Sequence, residues 1–278
     1  MIKLPLYHVD AFASRLFAGN PAAVVPLDDW LPDTMLQSIA AENNVSETAF
    51  FIARGDEYEL RWFTPRREVD LCGHATLAAG FVIATYLQPG RRRMKFHTQS
   101  GVLSVERDGQ RFNLDFPSRP PLPVDQGLRE MVAEALGQTP LEVLKAEKLM
   151  AVLPSSAAVR AARPDLEKVA ALEGHGLIVT APAGAGERPA DFVSRYFAPH
   201  VGVPEDPVTG SAHCLLTPYW AKRLKKNALH ALQVSQRGGE LFVTLKGSRV
   251  IISGQAVPYL EGQIHVPAVR STWQQAAK

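Results

Sequence analysis

The spacing of apolar residues changes period repeatedly along the chain, and each change marks an element. Leu36, Ile39 and Ala40 recur at helical spacing within 33–43, and Leu166, Val169 and Ala170 do so within 164–172. The apolar runs TAFFIA (48–53) and GLIVTA (176–181) predict strands. Each run is followed by an Arg-aromatic-Phe-x-Pro stretch, at 61–65 and 195–199, whose proline cannot donate to a ladder and stops the strand. HATLAAGFVIATYL (74–87) and SAHCLLTPYWAKRL (211–224) follow, and CLLTPYW within the latter, like the former, is apolar all round, the pattern of a helix buried at the centre of a lobe. Alternating strands around Asp108-Gly109 predict a hairpin, with Lys246-Gly247 as a weaker counterpart. MIKLPLYHVDAF at the N-terminus reads as a strand.

The same elements therefore occur twice in the same order. Arg61-Trp62-Phe63 matches Arg195-Tyr196-Phe197, GVLSVERDGQRFNL (101–114) matches GELFVTLKGSRVII (239–252), and 36–53 matches 166–183. The offset drifts only from 130 to 138, which short loop insertions explain. The expected architecture is an α+β fold built as a duplicated half-molecule, each half a set of strands around one apolar helix. The expected boundaries are 1–117 and 125–278, joined by a Pro-rich linker at about 118–124, with the terminal segments free to cross between halves.

Composition removes several classes of function. A net charge of +2 offers no footprint for nucleic acid, and the GRRRMK run (90–95) reads as a solvated turn. Two cysteines, Cys72 and Cys214, make no disulfide framework and no CxxC zinc pair. No apolar window is long enough for a membrane span, so a soluble, cytoplasmic protein is the default. There is no HExxH or other metal spacing, no P-loop, and AGAG (183–186) lacks a dinucleotide fingerprint, which points to cofactor-free and metal-free chemistry.

The candidate chemistry lies where each half turns from loop to helix at a glycine: Cys72-Gly73-His74-Ala75 and Thr209-Gly210-Ser211-Ala212. Two helix N-termini facing one another would hold a small anion such as a carboxylate, although each glycine can also simply start a helix. Directed proton transfer needs groups that break the symmetry. Glu47 stands opposite Leu177 in the alignment, a carboxylate at the head of an apolar strand, suited to a general base or else merely exposed at a strand end. Asp206, in the turn-forming Glu205-Asp206-Pro207, offers a second titrating group. His74 at a helix N-terminus is expected to be neutral, its pKa lowered by the dipole, with Ser211 in the matching place. A nucleophilic Cys72 is disfavoured, because residues two apart on a helix do not face each other.

The segments GNPAAVV (19–25), SETAFF (46–51), LCGHATLAAG (71–80) and EDPVTGSAH (205–213) resemble the PhzF family of phenazine-biosynthesis-type isomerases. The resemblance implies the diaminopimelate epimerase-like fold, with two lobes, each a curved mixed or antiparallel sheet rolled around a central helix, and the active site between them. It implies cofactor-independent proton transfer on a small carboxylate-bearing substrate, with Glu47, His74 and Asp206 as catalytic residues. Ser46, Gly73, Gly210 and Ser211 would line the pocket, and the protein would be a homodimer. Two alternatives stay open: an epimerase or racemase using Cys72, whose counterpart here is Thr209 rather than a second cysteine, and a non-catalytic binding protein.

Overall fold

The computed structural model describes residues 1–187 and 189–268, and six α-helices lie among them. The 33–43 pattern becomes α1 (Asp33–Asn43), burying Leu36, Ile39 and Ala40 as its spacing requires. The first apolar segment becomes α2 (Gly73–Val82), continued by a π-helical turn, Ile83–Leu87. All residues of α2 from His74 to Val82 are buried, so its all-round apolar surface has a physical use.

Three helices of the second half begin at side chains that accept from first-turn N–H groups. Asp125 caps α3 (Gln126–Leu136), Ser155 caps α4 (Ser156–Ala161), and Asp165 caps α5 (Leu166–Ala171). The helix expected over 164–172 is α5, shortened because Asp165 is its cap; α3 and α4 are additional to the expected elements. The second apolar segment becomes α6 (His213–Leu224). It starts two residues later than the motif suggests. Gly210, Ser211 and Ala212 instead form tight turns, their carbonyls accepting from the N–H groups three residues on.

The described strands form one hydrogen-bonded sheet whose middle is the antiparallel pair 111–117 and 249–254. Outward from that pair the order is the same on both sides. The first lobe runs 101–108, 93–98, 57–63, 47–54, 20–27, 2–11 and 256–266. The second runs 239–246, 228–233, 192–198, 177–182, 149–152, 142–145 and 122–123. The parallel pairings fall at the same two steps in each series. The outermost strand of each lobe is lent by another segment: 256–266 comes from the end of the described chain, and 122–123 from the stretch expected as linker. Residues 269–278 of the expected second half lie outside the described residues.

Matching pieces do matching work. Arg61 makes a double hydrogen bond to Glu68 at 2.7 and 2.8 Å, and Arg195 does the same to Glu205 at 2.7 and 2.9 Å, each pinning the loop that leads to a glycine turn. The apolar residues of α2 and α6, among them Leu77, Val82, Leu215 and Trp220, belong to one continuous core that crosses the seam between lobes.

Phe12 is a fully buried part of that core, held at a φ of +59° that only glycine adopts freely. A methyl added to Gly254 would lie 2.4 Å from its ring. Gly254→Ala is therefore expected to lower unfolding free energy by about 1–3 kcal/mol in urea denaturation. Gly186→Ala, whose new methyl meets nothing within 4 Å among the described residues, should stay within about 0.5 kcal/mol of wild type.

Candidate active site

A cavity of about 440 Å³ opens along the seam between the lobes. The two glycine turns meet there: a methyl added to Gly73 would lie 4.0 Å from Gly210 Cα and 3.7 Å from the Phe116 ring. Ser46, Glu47, Gly73, His74, Asp206, Gly210 and Ser211 all line the cavity.

Glu47 heads the strand 47–54, beside Ala22 of the parallel strand 20–27, with its side chain 18% exposed. One carboxylate oxygen lies 3.1 Å from His74 Nε2. The two atoms lie within ion-pair distance, and neither has a further partner among the described residues. The other ring nitrogen, Nδ1, faces Cys72 Sγ at 3.5 Å.

Two expectations are corrected here. His74 is not held neutral by the helix terminus. Burial alone favours the neutral ring, but the Cys72 sulfur and the Glu47 carboxylate on its two nitrogens oppose this and prevail, putting its pKa well above the ordinary histidine value. Cys72 does face His74, because it precedes α2 in an extended conformation (φ −145°, ψ 107°), outside the helical spacing that would have kept the two apart. Burial first, and then the Glu47 charge, push the Cys72 pKa up to about 11. Donor atoms of Glu47, Cys72 and His74 lie within 4.8 Å of one another. They do not suit a single metal ion, since the sulfur and the carboxylate face opposite nitrogens of one ring.

Asp206 reaches the cavity from the second lobe. One carboxylate oxygen accepts from Asn20 Nδ2 at 2.8 Å and the other from Thr209 Oγ1. Burial raises its pKa to about 6; His74 lowers it, Glu47 raises it, and the Thr209 and Asn20 hydrogen bonds lower it. Asn20 is a site residue that the sequence reading missed. It is fully buried, donates to Asp206 and to the Val208 carbonyl, and accepts from Ser46 Oγ at 2.9 Å, tying together the two lobes' contributions. The available signal was an amide at the head of an apolar strand running beside the Glu47 strand. Gln233 supports the same loop by donating to the Asp206 carbonyl and accepting from Thr209 N–H.

Arg119, Lys148, Tyr196 and Cys214 complete the wall on the second-lobe side. Pro218 inside α6 has no N–H, which frees the Cys214 carbonyl four residues back, and Arg119 N–H donates to it at 2.9 Å. Cys214 is buried, as expected of a core residue, yet it also borders the cavity.

Residues 9–262 match the family model described as phenazine biosynthesis-like protein. An uncharacterized isomerase of Pseudomonas aeruginosa is 51% identical over 95% of this chain and 100% of its own length. A crystal structure of a PhzF-family phenazine biosynthesis protein from Enterococcus faecalis superposes with a TM-score of 0.91 at 45% identity, covering 95% of this chain and 100% of that one. A hydroxyproline epimerase from Agrobacterium vitis shares the fold alone, at a TM-score of 0.57 and 10% identity over 94% of this chain and 92% of that one. No helix among the described residues is long and apolar enough to cross a membrane.

A carboxyl whose pKa rises on folding binds more protons in the native state, so between 3.8 and about 6 stability falls as pH rises. Asp206→Asn abolishes that titration. Its stability relative to wild type is expected to be higher at pH 7 than at pH 4 by of the order of 2 kcal/mol in urea denaturation. A difference independent of pH would mean that Asp206 titrates normally.

Proposed function

The chain belongs to the phenazine biosynthesis-like protein family, and from that premise we propose that it is a cofactor-independent isomerase moving a proton between two carbons of a small carboxylate-bearing substrate. The observation that carries this reading is the convergence of Glu47, His74 and Asp206, from three separate elements, on one open cavity. The N–H groups at the Gly73 and Gly210 turns receive the substrate carboxylate, where the N-terminus of α2 adds its dipole.

In this reading Glu47 takes a proton from a carbon conjugated to that carboxylate. The C–H electron pair moves into the conjugated system, and the negative charge spreads towards the carboxylate. Protonated His74, beside the reacting atoms, stabilises that charge. A proton then returns to a different carbon, from Glu47 itself or from Asp206, whose pKa near 6 suits donation close to neutrality. One C–H bond breaks and another forms, with no net oxidation. The matching strand order of the lobes supports an internal duplication with halves near 1–117 and 125–278. Assembly as a homodimer in the cytoplasm belongs to the same proposal.

The Cys72 epimerase reading gains from the 3.5 Å contact with His74. It loses from the raised thiol pKa and from Thr209 in the opposing position. An idle binding scaffold fits poorly with an open cavity on which Glu47, His74 and Asp206 converge.

Small unsaturated carboxylates incubated with the protein in heavy water, and read by proton NMR, should include one that exchanges carbon-bound hydrogen. Glu47→Gln is expected to slow that exchange by about 10²–10⁴-fold, and Cys72→Ala by less than about tenfold. Wild-type exchange in Glu47→Gln would overturn the assignment, and abolition in Cys72→Ala would favour the epimerase.

A further inference from the structure

One wall of the cavity carries a cation that the proton transfer described above does not use. Lys148 lies in the tight turn between strands 142–145 and 149–152. That turn is held from three sides: Ala146 N–H donates to the Lys148 carbonyl at 3.1 Å, His175 N–H to the Glu147 carbonyl at 2.8 Å, and Leu149 N–H to the Gly176 carbonyl at 3.0 Å. The backbone that presents Lys148 is therefore fixed in place. Its side chain is half-buried, borders the cavity, and carries Nζ 5.8 Å from the centroid of the Tyr196 ring.

The neighbouring carboxylates are committed elsewhere. Glu147 pairs with Arg119 at 2.8 Å, Glu173 pairs with Lys145, and Asp206 is held by Asn20 and Thr209. Lys148 forms no ion pair among the described residues. Desolvation lowers its pKa against the opposing influence of Cys214, Glu147 and Asp206. A cation so placed is costly unless an anion arrives to meet it.

Strand register gives the position a second meaning. Ala22 pairs with Glu47 in the first lobe and Leu149 with Leu177 in the second, so Lys148 falls where the first lobe has Pro21, and Glu147 where it has Asn20. The first lobe uses this corner, through Asn20, to hold Asp206 and Val208 of the second lobe's site loop. The second turns an ammonium into the cavity.

We propose that Lys148 forms a second anion subsite, so that the substrate carries two separated anionic groups, as a dicarboxylate does. The inference rests on the cavity being the substrate site. One carboxylate occupies the glycine turns, and the second meets Lys148 against the Tyr196 ring. A monocarboxylate fills only the first position and leaves Lys148 uncompensated.

The test is isothermal titration calorimetry at neutral pH with straight-chain dicarboxylates from malonate to adipate, each paired with the monocarboxylate of equal chain length. For at least one pair the wild type should bind the dicarboxylate about tenfold or more tightly. Lys148→Met should abolish that preference with the monocarboxylate affinity unchanged, and Lys148→Arg should retain it. Urea denaturation midpoints no lower than that of the wild type would verify that the variants fold. Equal affinity within every pair, a preference that survives in Lys148→Met, equal weakening of both members in that variant, or no binding to wild type at millimolar concentration would overturn the proposal. Glu47→Gln should keep the dicarboxylate preference while losing hydrogen exchange. Failure of the proton-transfer reading thus shows in exchange alone, and failure of the subsite in binding alone.

Discussion

The site depends on two stretches of bare backbone meeting at the seam between the lobes. A methyl added to Gly73 would touch Gly210 Cα and the Phe116 ring at ordinary van der Waals distance, and one added to Gly210 would touch the Phe12 ring. The approach is held by the antiparallel pair 111–117 and 249–254, which fuses the lobes into one sheet, and by a core shared between α2 and α6. The Arg61–Glu68 and Arg195–Glu205 pairs fix the loops that deliver each glycine. The cavity along the seam is what remains when those constraints are met together.

Symmetry builds the cavity, and departures from it supply the chemistry. At the head of equivalent strands, one lobe has Glu47 and the other has buried, apolar Leu177. Before equivalent turns, one has Cys72 against His74 and the other has Thr209 against Asp206. At equivalent corners, one has Asn20 stitching the lobes together and the other has Lys148 facing the cavity. Such inequality gives the cavity distinct proton donors and acceptors, which suit a proton moved between two different carbons.

Electrostatics in the site come from contact more than from helix dipoles. The dipole argument for a neutral His74 considers one element alone. In the folded protein a carboxylate and a sulfur sit on the ring's two nitrogens, and close groups in a desolvated place outweigh the diffuse field of a helix terminus. Asp206 shows the opposite balance: its hydrogen bonds do not offset burial, and its pKa stays raised.

The sequence by itself determined the elements that recur in both halves, though not α3 or α4. Apolar period distinguishes the helices from the strands, all-round apolar runs identify α2 and the buried first part of α6 as central, and the glycine motifs locate the site, since each of these is a local property of consecutive residues. It also singled out Glu47, His74 and Asp206 through the failure of the repeat at those positions. Only the tertiary structure decided which of these residues touch. Asn20 and Asp206 are separated by most of the chain and meet only because the lobes close. Cys72 faces His74 only because it stands outside the helix. Lys148 becomes a cavity residue only because a strand turn places it beside Tyr196 at the cavity wall, where its neighbours' charges are already taken. Such facts depend on distances across the fold, and a linear pattern does not encode them.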